Sequence, residues 1–224
     1  MKKLLASPKD MAINSAHGLA FHRGLGTPLH PSSATPMRKY LDADTLAEYA
    51  QSAYAKPSFA IVGNGVEQAE LKKWMGEFFT NAPAQAMHSL TSEQTKYYGG
   101  EERIAHASGN AMVIAFPGSS SATGGFYKPE IAVLAALLGG QSTIKWSPGF
   151  SLLSKATQNA PNMYIDTKST IYSDAGLLTI TLAGSATDIK TSAPKVAEVL
   201  KGLAEGINKE DFAKAKALAK FKEL

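Results

Sequence analysis

Residues 177–204 constrain the fold more tightly than any other stretch of this chain. Leu178, Ile180 and Leu182 alternate with Thr179 and Thr181. That period of two belongs to a strand with one apolar face and one face in water. A few residues later Ile189, Ala193, Val196, Ala197, Leu200 and Ala204 recur at helical spacing. The strand is also the second arm of a hairpin, because Met163 to Tyr172 is a further extended run before the turn Ser173-Asp174-Ala175-Gly176. A hairpin followed at once by a long amphipathic helix predicts an α+β protein, with helices packed on a mixed or antiparallel sheet.

The rest of the chain repeats these ingredients. Ser7 caps and Pro8 opens a first helix with Ala12, Ala16 and Leu19 on one face. Turn chemistry follows from Gly24 to Pro36. A helix begins after Asp42 or Asp44 and carries Leu46, Tyr49, Ala50, Ala53 and Tyr54. Phe59 to Val62 reads as a buried strand stopped by Gly63-Asn64-Gly65, and Leu71, Trp74, Met75, Phe78 and Phe79 form the core stripe of a third helix. Periodicity is lost over 80–98, and the domain division expected is 1–82, a linker over 83–98, and 99–224. In the last segment, strands are expected over 102–107 and 111–116. A helix should run from Pro129 to a stop at Gly139-Gly140, and a glycine-bearing loop from there to Gly149. A short helix then carries Phe150, Leu153 and Ala156, and Asn208 caps a last helix that is still periodic at Phe221. A pattern running to the end without a stop signal predicts a chain interrupted inside a longer one.

The chemistry that the chain can carry is limited. Cysteine is absent, which excludes disulfides, thiol catalysis and thiolate-bound metals. The net charge of +4 is too small to point to nucleic acid. No apolar run approaches the roughly 18–20 residues of a membrane span. The five histidines are His17, His22, His30, His88 and His106. His17 and His22 sit about 140° apart on a helix, so they cannot close on one metal. Neither H-x-x-E-H nor H-E-x-x-H occurs, nor a P-loop, nor a G-x-S-x-G elbow. The expectation is therefore no catalytic residue, no cofactor and no metal site. Lys209, Lys214, Lys216, Lys220 and Lys222 interleave with acids as a solvated helix face.

Several stretches resemble the pitrilysin-type zinc-peptidase superfamily. They are the run from Ser15-Ala16-His17-Gly18 to Gly26-Thr27-Pro28-Leu29, then Tyr40-Leu41-Asp42, Ser52-Ala53-Tyr54-Ala55-Lys56-Pro57 and Phe59 to Val66. Leu137-Leu138-Gly139-Gly140 and Tyr172-Ser173-Asp174-Ala175-Gly176-Leu177 continue the likeness. The resemblance implies parts of two related peptidase-like domains, the rear half of one and the front of the next. It is nearest to a non-peptidase branch whose members serve as structural core subunits of a respiratory complex. That implies a peripheral scaffold on the matrix side of the mitochondrial inner membrane, partnered by another core subunit and by membrane subunits. The alternative branch is the non-catalytic alpha half of a presequence peptidase, which holds presequences in a glycine-rich loop. Gly139, Gly140 and Gly149 would be the remnant of that loop, interrupted here by Ile144, Lys145, Trp146 and Pro148. A domain cut mid-pattern is also expected to self-associate.

Overall fold

The computed structural model describes residues 6–28, 42–88, 94–141, 149–160 and 162–223. They fall into two compact units, one of residues 1–30 with 94–224 and one of residues 31–93. The middle of the expected glycine loop, 142–148, and His30 lie outside the described residues.

The larger unit is built on a three-stranded antiparallel sheet. Its strands are β1 (Asn110–Pro117), β2 (Tyr164–Ile171) and β3 (Gly176–Gly184), with β3 in the middle. Ile180 stands opposite Ile114 on one side and Thr167 on the other, which fixes the register and puts all three on one face. Leu182 lies opposite Met112 and Ile165 on that same face. Against it pack Leu138 of α4 (Glu130–Leu138), Leu153 of α5 (Leu152–Ala156) and Val196 of α6 (Ala186–Glu205). Leu138, Leu153, Ile180, Leu182 and Val196 are fully buried. Each such side chain contributes about 1.5–3 kcal/mol relative to exposure. A second contact joins Ala136 and Leu137 of α4 to Ala215 and Ala219 of α7 (Lys209–Glu223).

The other face of the sheet is not wet. Helix α1 (Pro8–Phe21) packs on β1 and β3, and Thr179 and Thr181 are both buried. Ala16, Ala20 and Phe21 are the buried residues of α1, and Ala20 and Phe21 sit against Leu177. The alternation in β3 therefore records a change in side-chain size from one covered face to the other. Threonine, β-branched and compact, suits a strand under a small-residue helix. The Ser7 hydroxyl accepts from the Asp10 N–H, and proline follows it, so the expected helix start is where the structure has it.

Residues 102–107 are not a strand. They are irregular and end in a turn at 107–108, with no ladder to β1, and Ile104 is half exposed. Gly99 and Gly100 lead in with φ of 85° and 154°, and Glu102 is held by the Ser15 hydroxyl and Glu101 by Arg103. Side-chain bonds have replaced backbone pairing there.

The smaller unit contains α2 (Ala43–Ala53) and α3 (Gln68–Phe78). Asp42 caps α2 through the Thr45 N–H, and those hydrogen bonds hold its carboxyl below the usual range. The Ser52 hydroxyl accepts from the His88 N–H, the His88 ring meets Glu48 at 2.7 Å, and the Lys56 N–H reaches the Pro83 carbonyl. Phe59 to Val62 is irregular here rather than a buried strand, and Val62 is 93% exposed. Among the described residues of this unit there is no other strand to pair with it. The α3 stripe is not core either, since Trp74 is 48% and Phe78 72% exposed. Only Ser52 and Ala55 are buried among the unit's described residues, so two short helices have no sheet on which to close a core.

Candidate functional site

The glycines singled out at the end of α4 serve packing. Gly139 closes the helix, its N–H bonding to the Ala135 carbonyl, with φ at +58°. A Cβ there would lie 2.3 Å from the Cβ of Ser151, the residue whose hydroxyl caps α5. A Cβ on Gly140 would lie 2.5 Å from the Ile165 carbonyl oxygen and 2.7 Å from the Asp166 Cα. The neighbouring backbone is tied to that strand, because the Gln141 N–H donates to the Ile165 carbonyl. The Ser151 hydroxyl donates to the Gly140 carbonyl. Gly149 sits at φ +84°. Gly139 and Gly140 are thus required by close approach of α4 to α5 and β2.

The histidines are dispersed. The His17 Nδ1 points at the Ile13 carbonyl at 2.8 Å; a carbonyl only accepts, so Nδ1 carries the proton. In the neutral ring Nε2 then accepts from the Tyr172 hydroxyl at 2.9 Å, which joins α1 to the hairpin. Burial pushes the Tyr172 phenol above its ordinary value, and its ring meets Phe21 edge-on. His22 is the C-cap of α1, at φ +57°, with its ring against Tyr98. His106 accepts from the Ser108 N–H through Nδ1. Among the described residues no three histidine or carboxylate side chains gather as a metal would need.

What the described residues do offer is surface for other chains. β1 is an edge strand, and among the described residues no further strand pairs with it. Along that edge lies a groove of 790 Å³ between α1 and residues 97–106. Met11, Ala12 and Leu19 form one wall and Ala111, Val113 and Ala115 the floor, while Glu101, Glu102 and Arg103 stand at the opposite wall. The Tyr97 hydroxyl donates to the Ala115 carbonyl of β1; an edge without a strand ladder, beside an apolar wall, can take up a partner's strand or loop. The sequence places Ala12 and Leu19 of this wall on the apolar face of α1; what it does not reveal is that residues 97–106, far along the chain, stand across from them. In the smaller unit Leu46, Tyr49, Tyr54, Ile61, Val62, Trp74 and Phe78 leave a large apolar surface exposed.

Residues 40–218 match the family described as Peptidase M16 inactive domain. The chain belongs to this family. The match takes in most of both units but not α1. Among curated proteins, cytochrome b-c1 complex subunit 2 of Neurospora crassa is 46% identical over 94% of this chain and 46% of its own length. The proteins of the same name from Cryptococcus neoformans and Yarrowia lipolytica are each 34% identical, over 97% and 96% of this chain and 49% of their own lengths. The chain thus spans about half the length of the curated relatives that it matches. A chain of the solved structure "Complex III2 from Candida albicans, Inz-5 bound" shares the fold, with a TM-score of 0.73 over 99% of this chain and 53% of that one, at 17% identity. Among the described residues no helix is long and apolar enough to cross a membrane.

Proposed function

We propose that this chain is part of a non-catalytic core subunit of the mitochondrial ubiquinol–cytochrome c reductase complex. It would work as a peripheral scaffold that supports assembly and electron transport. The observation that carries this reading is the subunit name shared by relatives that match nearly the whole chain. The physical features agree with it. The β1 edge and the apolar face of the smaller unit need partner surface, and a core subunit has partners in the second core subunit and the membrane subunits. On the same reading 1–82 is the rear half of one peptidase-like domain, 83–98 the connection, and 99–224 the front of the next. The place we assign is the matrix side of the inner membrane.

The presequence-binding alpha subunit of a processing peptidase is the second reading. Gly139 and Gly140 argue against it, because packing against Ser151 and Ile165 already accounts for both. The test is to tag the full-length parent at its own locus and purify it from detergent-solubilised mitochondria. The expected result is co-purification with cytochrome b and ubiquinol–cytochrome c reductase activity, and loss of assembled complex when the parent is deleted. Protease protection in mitoplasts should show matrix exposure. Co-purification of presequence-cleaving activity without cytochrome b would overturn the reading.

A further inference from the structure

A second cavity, of 510 Å³, lies in the larger unit beyond the C-terminal end of α1. Its size is within the range of about 300–1,000 Å³ typical of small-molecule sites. Three rings line it: Phe21, Tyr97 and Phe126. Phe21 is buried and meets Tyr97 edge-on at 6.4 Å between centroids, while Phe126 is half exposed on the facing loop. One wall is a strap, residues 94–98, fixed at three points, one of them the Tyr97 hydroxyl donating to the Ala115 carbonyl at 3.4 Å. The Tyr98 N–H donates to the Ala20 carbonyl, and the Thr95 N–H donates to Asp174 Oδ2 at 2.8 Å.

The charges on the wall have unequal freedom. Asp174 is committed to the strap, and the Thr95 hydrogen bonds hold its carboxyl below the ordinary range. The Lys96 ammonium lies over the Tyr98 ring at 5.2 Å. Lys128 has no ion-pair partner among the described residues, and its backbone is held where its N–H donates to the buried Ser119 hydroxyl. A pocket walled by aromatic rings, with an exposed lysine on its wall that has no carboxylate partner among the described residues, suits an aromatic body carrying a single negative charge.

We propose that this cavity binds a small aromatic monoanion, its ring against the walls formed by Phe21, Tyr97 and Phe126 and its acid group at Lys128. The probe is 2-naphthoate, titrated into the 224-residue chain by calorimetry and followed by amide chemical shifts. The expected result is one site per chain, with shifts centred on Thr95, Gly118 and Ala175. Lys128→Met should weaken binding about twofold to fivefold, the worth of one exposed charge. Phe126→Ala should weaken it about tenfold, and Ala175→Trp, which fills the slot, should abolish it. Phe126 stands half exposed on a loop, so its variant keeps the test open if Ala175→Trp misfolds. Trp74→Ala in the other unit should change nothing. No binding up to millimolar probe, or binding unaffected by Phe126→Ala, overturns the site. Loss of binding in Trp74→Ala places the probe on the other unit's apolar face and overturns it as well. Equal affinity for neutral 2-naphthamide overturns the assigned charge.

Discussion

Gly140→Ala isolates what the α4 glycines are for. The added methyl would be placed 2.5 Å from the Ile165 carbonyl oxygen and 2.7 Å from the Asp166 Cα, both backbone atoms of β2. Neither can rotate away as a side-chain tip would, so α4 and β2 must separate. Overpacking of this kind costs about 1–3 kcal/mol. Separation also stretches the Gln141 N–H bond to Ile165 and the Ser151 hydroxyl bond to Gly140, each worth about 0.5–1.5 kcal/mol net. With one of those lost, the total is about 1.5–4.5 kcal/mol, or a fall in Tm of about 3–18 °C in a chain of this size. Differential scanning calorimetry of the purified chain reads it directly. Gly202→Ala is the control, a helix-interior glycine whose new Cβ meets nothing within 4 Å. It should raise stability by about 0.5–1 kcal/mol, since alanine is the better helix former. An unchanged Tm in Gly140→Ala would refute the packing account and return the glycine to the loop as a ligand contact.

The sequence was legible where local signals and tertiary packing agreed. The Ser7-Pro8 start, the Gly139 stop and the turn at 173–176 each depend on a few residues, and each stands where the spacing placed it. The α+β class followed from the period change between β3 and α6. Faces were harder to read. Thr179 and Thr181 have the polarity of a wet face, yet they lie under α1, more than 150 residues earlier in the chain, and nothing local to β3 announces that cover. Pairing was hardest. Phe59 to Val62 and residues 102–107 have strand composition, but a strand exists only with a neighbour, and neither segment has one among the described residues. Gly139 and Gly140 were visible as a helix stop. Their approach to Ser151 and Ile165 was not, because it depends on where α5 and β2 return.

Three further perturbations test the remaining contacts. Tyr172→Phe removes the hydroxyl that donates to His17 Nε2, and should destabilise the chain by about 0.5–1.5 kcal/mol in urea unfolding; no change would mean that the bond is not formed in solution. Asp174 has a carboxyl depressed below its ordinary 3.8 by the Thr95 hydrogen bonds. The folded state therefore binds that proton less readily than the unfolded chain. Its contribution is fully present above the unfolded value and is lost as pH falls through the folded one. Protection of the Thr95 amide in hydrogen exchange should be constant above about pH 5 and drop below about pH 4; Asp174→Asn should remove that pH dependence, and a flat profile in the unsubstituted chain would contradict the assignment. The last test concerns self-association through the smaller unit. Had the α3 stripe been core, truncating Phe78 would cost about 3–5 kcal/mol. At 72% exposure it should cost less than about 0.5 kcal/mol within one chain, and the same holds for much of Trp74 at 48%. The two rings stack on each other at 5.8 Å between centroids and present one continuous apolar face. Such a face lowers its free energy by meeting another, so sedimentation velocity should show oligomers growing across micromolar concentrations. The double change Trp74→Ser with Phe78→Ser should shift the chain to monomer while leaving Tm nearly unchanged. A fall in Tm of several degrees with no change in oligomeric state would mean that this face is buried within the chain, and the expectation of self-association would fail with it.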